Sequence, residues 1–218
     1  NKDMKRIISL TVLLSLLIFT SCESEQARKE RLELEKQQRI ELEQKRAMEE
    51  KAKAIRLEQV RIEQEKQAEV ERKKQEIYDR YISNSLPTGA TPYSKYYGGN
   101  SSCNVYGCSK IKVITSNSDV VVIIKKNDQV VRHAFIQARD SYTFSFPNGT
   151  YQAFFYYGKG WNPEKEMKGG EMKGGFITNE DFEKDDPQPL YNIVLTYELI
   201  MQENGNFSTR PSNPEEAL

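Results

Sequence analysis

The stretch "DVVVIIKKNDQVVRHAFIQA", residues 119–138, decides the fold. A near-continuous β-branched run, 119–126, meets Asn127-Asp128, a two-residue turn signal, and a second apolar run leaves it. β-branched side chains suit a pleated, buried surface, so the stretch reads as a hairpin. Working outward, the neighbours keep a period of two. "KIKVIT" (110–115) alternates, and "SYTFSF" (141–146) places Tyr142, Phe144 and Phe146 on one face. Pro147-Asn148-Gly149 turns the chain into "TYQAFFYY" (150–157), and "LYNIVLTYELIMQ" (190–202) can hold a strand across the domain. Six or seven short strands with turns between them predict a small antiparallel β-sandwich over residues 103–218.

Upstream the pattern is the opposite. From Ser24 to Ile82 there is neither Pro nor Gly, and Glu, Lys, Arg, Gln and Ala dominate, all good helix formers. Acids precede bases by four residues at Glu25–Lys29, Glu35–Arg39, Glu41–Lys45, Glu49–Lys53, Glu69–Lys73 and Glu76–Arg80, the spacing and order that support a solvated helix. One heptad lane holds Leu34, Met48, Ile55 and Ile62 but is broken by Glu41, Glu69 and Glu76. The adjacent lane carries Ile40, Ala47, Ala54, Ala68 and Ile82. A coiled-coil seam needs apolar residues at both a and d, so the expectation is a self-supporting charged stalk over 22–82, with a weak homo-oligomer through the helix as the alternative. Two Pro and three Gly among small polar residues make 83–102 a linker, with Tyr93, Tyr96 and Tyr97 packing on the sandwich domain. The fold class expected is therefore α plus all-β in separate segments: a helical stalk, then the sandwich.

The amino-terminal segment carries an address. Lys5-Arg6 follows Met4 and precedes "IISLTVLLSLLIF" (7–19), thirteen residues without a charge. That is a signal-peptide pattern, too short for the ~20 residues of a spanning helix. Asn1, Lys2 and Asp3 lie before Met4, the expected start, and are given no structural weight. "FTSC", Phe19 to Cys22, resembles the lipobox of bacterial lipoproteins, with Phe19 where Leu is commoner. That resemblance implies cleavage after residue 21, a diacylglyceryl group on Cys22 and further acylation of the new terminus. Several chains anchor where one would bind marginally. Glu23-Ser24-Glu25 resembles the acidic display signal of Bacteroidota lipoproteins. It implies a surface-exposed outer-membrane location, the alternative being a periplasm-facing one.

The run 140–158 resembles the central hairpin of transthyretin-like and carboxypeptidase-regulatory-like modules, in which a Gly-Thr-Tyr step follows the turn. Those modules are mainly structural or interaction units. Lys+Arg and Asp+Glu are both 32, and the net charge is zero, which argues against a nucleic-acid partner. Charged residues make up 29% and mean hydropathy is −0.74, polarity concentrated in the first half, so only the second half can bury a core.

Few residues offer chemistry. With Cys22 lipidated, Cys103 and Cys108 form an even extracytoplasmic pair and read as a disulfide, since zinc would need two more ligands and the chain has one His. His133, beside Arg132, reads as a surface strand residue, with no nucleophile or orienting partner nominated. No phosphate loop or hydrolase motif occurs, so no catalytic residue, metal or cofactor is expected beyond the lipid on Cys22. Glu180, Asp181, Asp185 and Asp186 read as a solvated acidic loop lacking calcium-loop spacing. "EMKGGEMKGG" (166–175) is a tandem repeat that reads as a loop. The binding candidate is "FFYYGKGWNP" (154–163): strand neighbours alternate sides, so part of it should be exposed. Tyr156, Tyr157, Lys159 and Trp161 are the residues expected to contact a glycan or protein partner, unless this is a two-sided strand plugged by Trp161.

Overall fold

The computed structural model describes residues 24–103, 107–199 and 209–218. The lipobox-like segment with Cys22 lies outside them. The chain divides into two compact units, residues 1–69 and 70–218. Helix α1, Glu25–Tyr81, buries no residue. Its first turn is capped by Ser24, whose Oγ accepts from Ala27 N at 3.2 Å. Arg61 pairs with Glu58 and Glu65, and Lys74 with Glu71; these pairs are three or four residues apart along the helix but are other pairs than the six acid-before-base ones the sequence nominates. Leu34, Met48, Ile55 and Ile62 are exposed. No described helix is long and apolar enough to cross a membrane.

The second unit is a two-sheet structure, mostly antiparallel. Strands are β1 Cys108–Thr115, β2 Asp119–Lys126, β3 Gln129–Ile136, β4 Ser141–Pro147, β5 Gly149–Met167, β6 Met172–Lys184, β7 Gln188–Leu190, β8 Val194–Leu199 and β9 Arg210–Pro211. One sheet has the order β4-β1-β8; the other runs β3-β2-β5-β6-β9, with β7 on the start of β5. The exception to antiparallel pairing is β1 with β8, which run parallel from Lys110↔Val194 to Thr115↔Leu199. The β2–β3 turn is the predicted one: Asn127 and Asp128 have φ of 50° and 60°, the left-handed pair such a tight hairpin needs.

The β-branched run of β2 is explained by its place. It lies between β3 and β5 and is buried on both faces. Val120, Val122 and Ile124 enter the core between the sheets with Ile111, Phe144, Phe146 and Phe155. Val121 and Ile123 enter a second core on the other face, with Tyr93, Phe135, Phe154, Tyr156, Trp161 and Phe176. This second core decides two readings, that of residues 83–102 and that of the aromatic run on β5, which is the two-sided strand plugged by Trp161. Residues 83–102 are irregular, as expected, and pack on the domain as Tyr93 and Tyr97 predict: Leu86, Ala90, Tyr93 and Tyr97 cover the outer face of the large sheet. Phe135 N donates to Ala90 O and Gly89 N to Phe135 O, both at 2.8 Å, so the segment is tied to β3 by backbone. Short helices α2, Ser94–Tyr97, and α3, Pro214–Ala217, complete the cover, and Ala217 and Leu218 are buried in it.

Pro147-Asn148-Gly149 also acts differently from the expected hairpin turn. β4 pairs with β1 and β5 with β2, so the turn carries the chain from one sheet to the other. Tyr151 Oη donates back to Pro147 O at 2.7 Å and fixes that corner.

Candidate functional site

The aromatic run lies on β5, where side chains alternate between the two cores. Phe155 and Tyr157 face the inter-sheet core, and Phe154 and Tyr156 the outer one. Alternation predicts that part of the run is exposed unless the strand is covered on both sides; the second core covers it. Tyr156 is fully buried, its ring stacked on Phe182 at 4.1 Å. Its hydroxyl accepts from Phe176 N at 2.7 Å and donates to Glu180. Burial and that carboxylate push the phenol well above its usual range. Tyr157 is half-buried, its phenol also raised by burial and by Glu183. Trp161, 3% exposed, meets Phe135 and Phe176 edge-on at 5.6 and 5.3 Å. Its backbone is clasped by Asn84: Trp161 N donates to Asn84 O at 2.8 Å, and Asn84 Nδ2 to Trp161 O at 2.6 Å. Trp161 is thus the plug joining the large sheet to the lead-in. The aromatic binding face expected at Tyr156 and Trp161 is not formed.

Of the four residues, Lys159 alone is exposed. The register between β5 and β6 shifts between Tyr157 and Lys159, a bulge that flanking glycines permit. A Cβ on Gly158 would lie 2.3 Å from Phe176, and on Gly160, at φ +74°, 2.7 Å from Tyr81 O. The bulge turns Lys159 toward an open groove of about 320 Å³, shared with Ser83, Asn84, Asn117 and Asp119. The Asp119 carboxylate there is occupied by Ser85 Oγ at 2.7 Å and Ala138 N at 2.8 Å.

His133, expected at the surface, is buried at 1% exposure, because the lead-in covers its face of β3. Its Nε2 accepts from Tyr93 N at 3.1 Å, and the Tyr93 and Tyr97 rings lie 5.9 and 6.1 Å away. Desolvation pushes the imidazole down to about 4, only partly opposed by a backbone hydrogen bond to Thr91. A neutral imidazole that accepts from a backbone amide works as a clasp for the lead-in. Asn100 completes it, accepting from His133 N at 3.1 Å and donating to His133 O at 2.8 Å.

Cys103 and Cys108 are disulfide-bonded, with Cα atoms 5.9 Å apart. The bridge fixes the end of the lead-in to the start of β1. Glu180 and Asp181 lie in β6 rather than in a loop. Asp185 is buried and accepts from Tyr197 Oη at 2.8 Å and Gln188 Nε2 at 3.0 Å, while Asp186 pairs with Arg210. Among the described residues no three His, Cys, Asp or Glu side chains are grouped to hold a metal. The tandem repeat is the tip of the β5–β6 hairpin. Its five-residue period sets Met167 opposite Met172, both buried in the outer core.

One feature escaped the reading of the sequence: Arg132 lines a small polar cavity between β3 and β4. The available signal was a charged residue inside the otherwise apolar "VVRHAFI". No protein-family model, curated protein or solved structure matches the chain.

Proposed function

We propose that this chain is a lipid-anchored cell-envelope protein that presents a β-sandwich binding module on a helical spacer. In this reading Cys22 carries the anchor, the protein is displayed on the outer-membrane surface, and the work of the module is binding rather than catalysis, toward a glycan or protein partner. The observation that carries it is α1, which buries none of its 57 residues. Helical stability normally comes from packing an apolar face, yet this helix relies on composition and local ion pairs, as a solvated spacer would. It starts three residues after the lipobox-like cysteine, and it leads into a module with two cores of its own.

The test is metabolic labelling of cells with an alkynyl fatty acid, followed by protease treatment of intact cells. Wild type should take the label and lose its C-terminal module to protease, and Cys22→Ala should take none. Label that persists in Cys22→Ala removes the anchor. A labelled protein whose module stays protected until the outer membrane is opened replaces surface display with a periplasm-facing one.

A further inference from the structure

β3 and β4 approach each other from different sheets, and residues 100–102 close over the gap. Arg132 reaches into it from β3. Its guanidinium carbon lies 5.8 Å from the centroid of the Phe146 ring, and Nη1 donates to Val131 O at 2.7 Å. The other edge of the guanidinium has no acceptor among the described residues. Arg132 Nε is buried and lacks an acceptor, the one such side-chain nitrogen or oxygen among the described residues. No described carboxylate pairs with Arg132. A buried charged donor without an acceptor is costly, and folds rarely keep one. Nη2, which is not among the buried atoms, is left to meet a carboxylate with a charge-assisted hydrogen bond.

The surroundings narrow the class of ligand. The cavity holds about 80 Å³, room for a carboxylate and the atoms next to it. Its rim carries the hydroxyls of Ser101, Ser102 and Thr143, which make no hydrogen bond within the described protein. Asn100 and Ser145 hold the wall in place instead. Asn100 is spent on the His133 backbone, and Ser145 Oγ exchanges hydrogen bonds with Cys103 N and O, both at 3.3 Å. The aromatic lining is Phe144, buried at 2% exposure, and the half-buried ring of Tyr142, whose hydroxyl lies 3.4 Å from Asn100 Nδ2. A carboxylate flanked by hydroxyls is what this lining matches.

We infer that the Arg132 cavity is a docking point for the carboxylate of an acidic sugar, a hexuronate unit of a glycan. The inference rests on the reading of the sandwich as a binding module and is independent of the anchor at Cys22.

The test is isothermal titration of the full chain in detergent with trigalacturonate, galactotriose and acetyl-triglycine. Wild type should bind trigalacturonate at least tenfold more tightly than either other probe. Arg132→Gln should weaken that binding at least tenfold while leaving the thermal midpoint within a few degrees. Thr143→Phe, which fills the mouth from an exposed strand position, should do the same and guards against an unfolded Arg132 variant. Equal binding of trigalacturonate and galactotriose, or indifference to both variants, overturns the Arg132 site while the binding-module reading stands. Tighter binding of acetyl-triglycine overturns the sugar assignment in favour of a peptide carboxylate. No saccharide binding at all removes this site and leaves the module with a protein partner as its remaining ligand.

Discussion

Lowering the pH should unfasten the lead-in through His133. The imidazole is neutral in the fold, titrating near 4, whereas an unfolded histidine titrates near 6.5. Between those values the unfolded chain binds a proton that the folded chain refuses, so stability rises with pH across the window and falls on acidification. The full span is about 2.5 pH units, each equivalent to 1.36 kcal/mol, which gives about 3 kcal/mol lost between pH 7 and pH 4. The groups facing the ring are the phenols of Tyr93 and Tyr97, neither of which ionises in this range, so no neighbour offsets the change. Glu216 and Asp140 are held below the usual carboxylate range by Lys184 and by Thr88. Their contribution is present at neutral pH and disappears as the pH falls through their lowered folded values, so a comparison of variants must separate the two effects. His133→Gln keeps an acceptor for Tyr93 N but cannot titrate. Urea unfolding of both proteins at half-unit steps from pH 7 to 4 is the assay. The gap between wild type and His133→Gln should shrink by over ~1 kcal/mol per pH unit below about 6.5. A gap that stays constant across that window would refute the buried, neutral imidazole, and with it the role of the lead-in as part of the domain.

Trp161→Ala should cost about 3–5 kcal/mol in urea unfolding, the range for removing a buried aromatic; a loss below about 1 kcal/mol would restore Trp161 to the surface. Gly158→Ala should cost about 1–3 kcal/mol, because the Phe176 ring lies 2.3 Å from the new Cβ, and unchanged stability would show that β6 yields freely there. Replacing Cys103 and Cys108 together by Ser opens a loop of sequence separation 5. Chain entropy sets that loss at about 2 kcal/mol, and a thermal midpoint unchanged from wild type would contradict it. Ile55→Glu with Ile62→Glu should leave far-ultraviolet helicity untouched, since both side chains are exposed; a clear loss of helicity would reveal a partner helix on that lane.

The elements legible in the sequence were those whose cause is local. Helix α1 follows from composition and from the absence of Pro and Gly, and the β2–β3 hairpin from Asn127-Asp128 between β-branched runs. What the sequence misplaced depends on contacts distant along the chain. Whether Tyr156 meets solvent or Phe182 is not written in "FFYYGKGW", because alternation assigns a side and not what covers it. Gly and Pro in 83–102 correctly marked irregular backbone. Irregular backbone can still be a covering layer, and here Tyr93 and His133, 40 residues apart, make it one.

That covering layer changes where a ligand could be received. A six-stranded sheet with one open face would offer its aromatics to a partner, and the Trp161 run would be the obvious place. With Leu86, Ala90, Tyr93, Ala217 and Leu218 laid over it, that face is a second hydrophobic core in which its aromatics are packed. Polar openings remain at the margins of the sheets: the groove beside Lys159, lined by short polar side chains, and the cavity of Arg132. The two differ in what they leave unsatisfied. The Asp119 carboxylate in the groove already has its hydrogen bonds, and Lys159 is an exposed ammonium that water serves at no cost. The Arg132 guanidinium alone combines charge with a buried nitrogen that lacks an acceptor among the described residues. Desolvating a charge is expensive unless something charged completes it, so of the two openings the Arg132 cavity is the one whose lining would gain most from an anionic ligand.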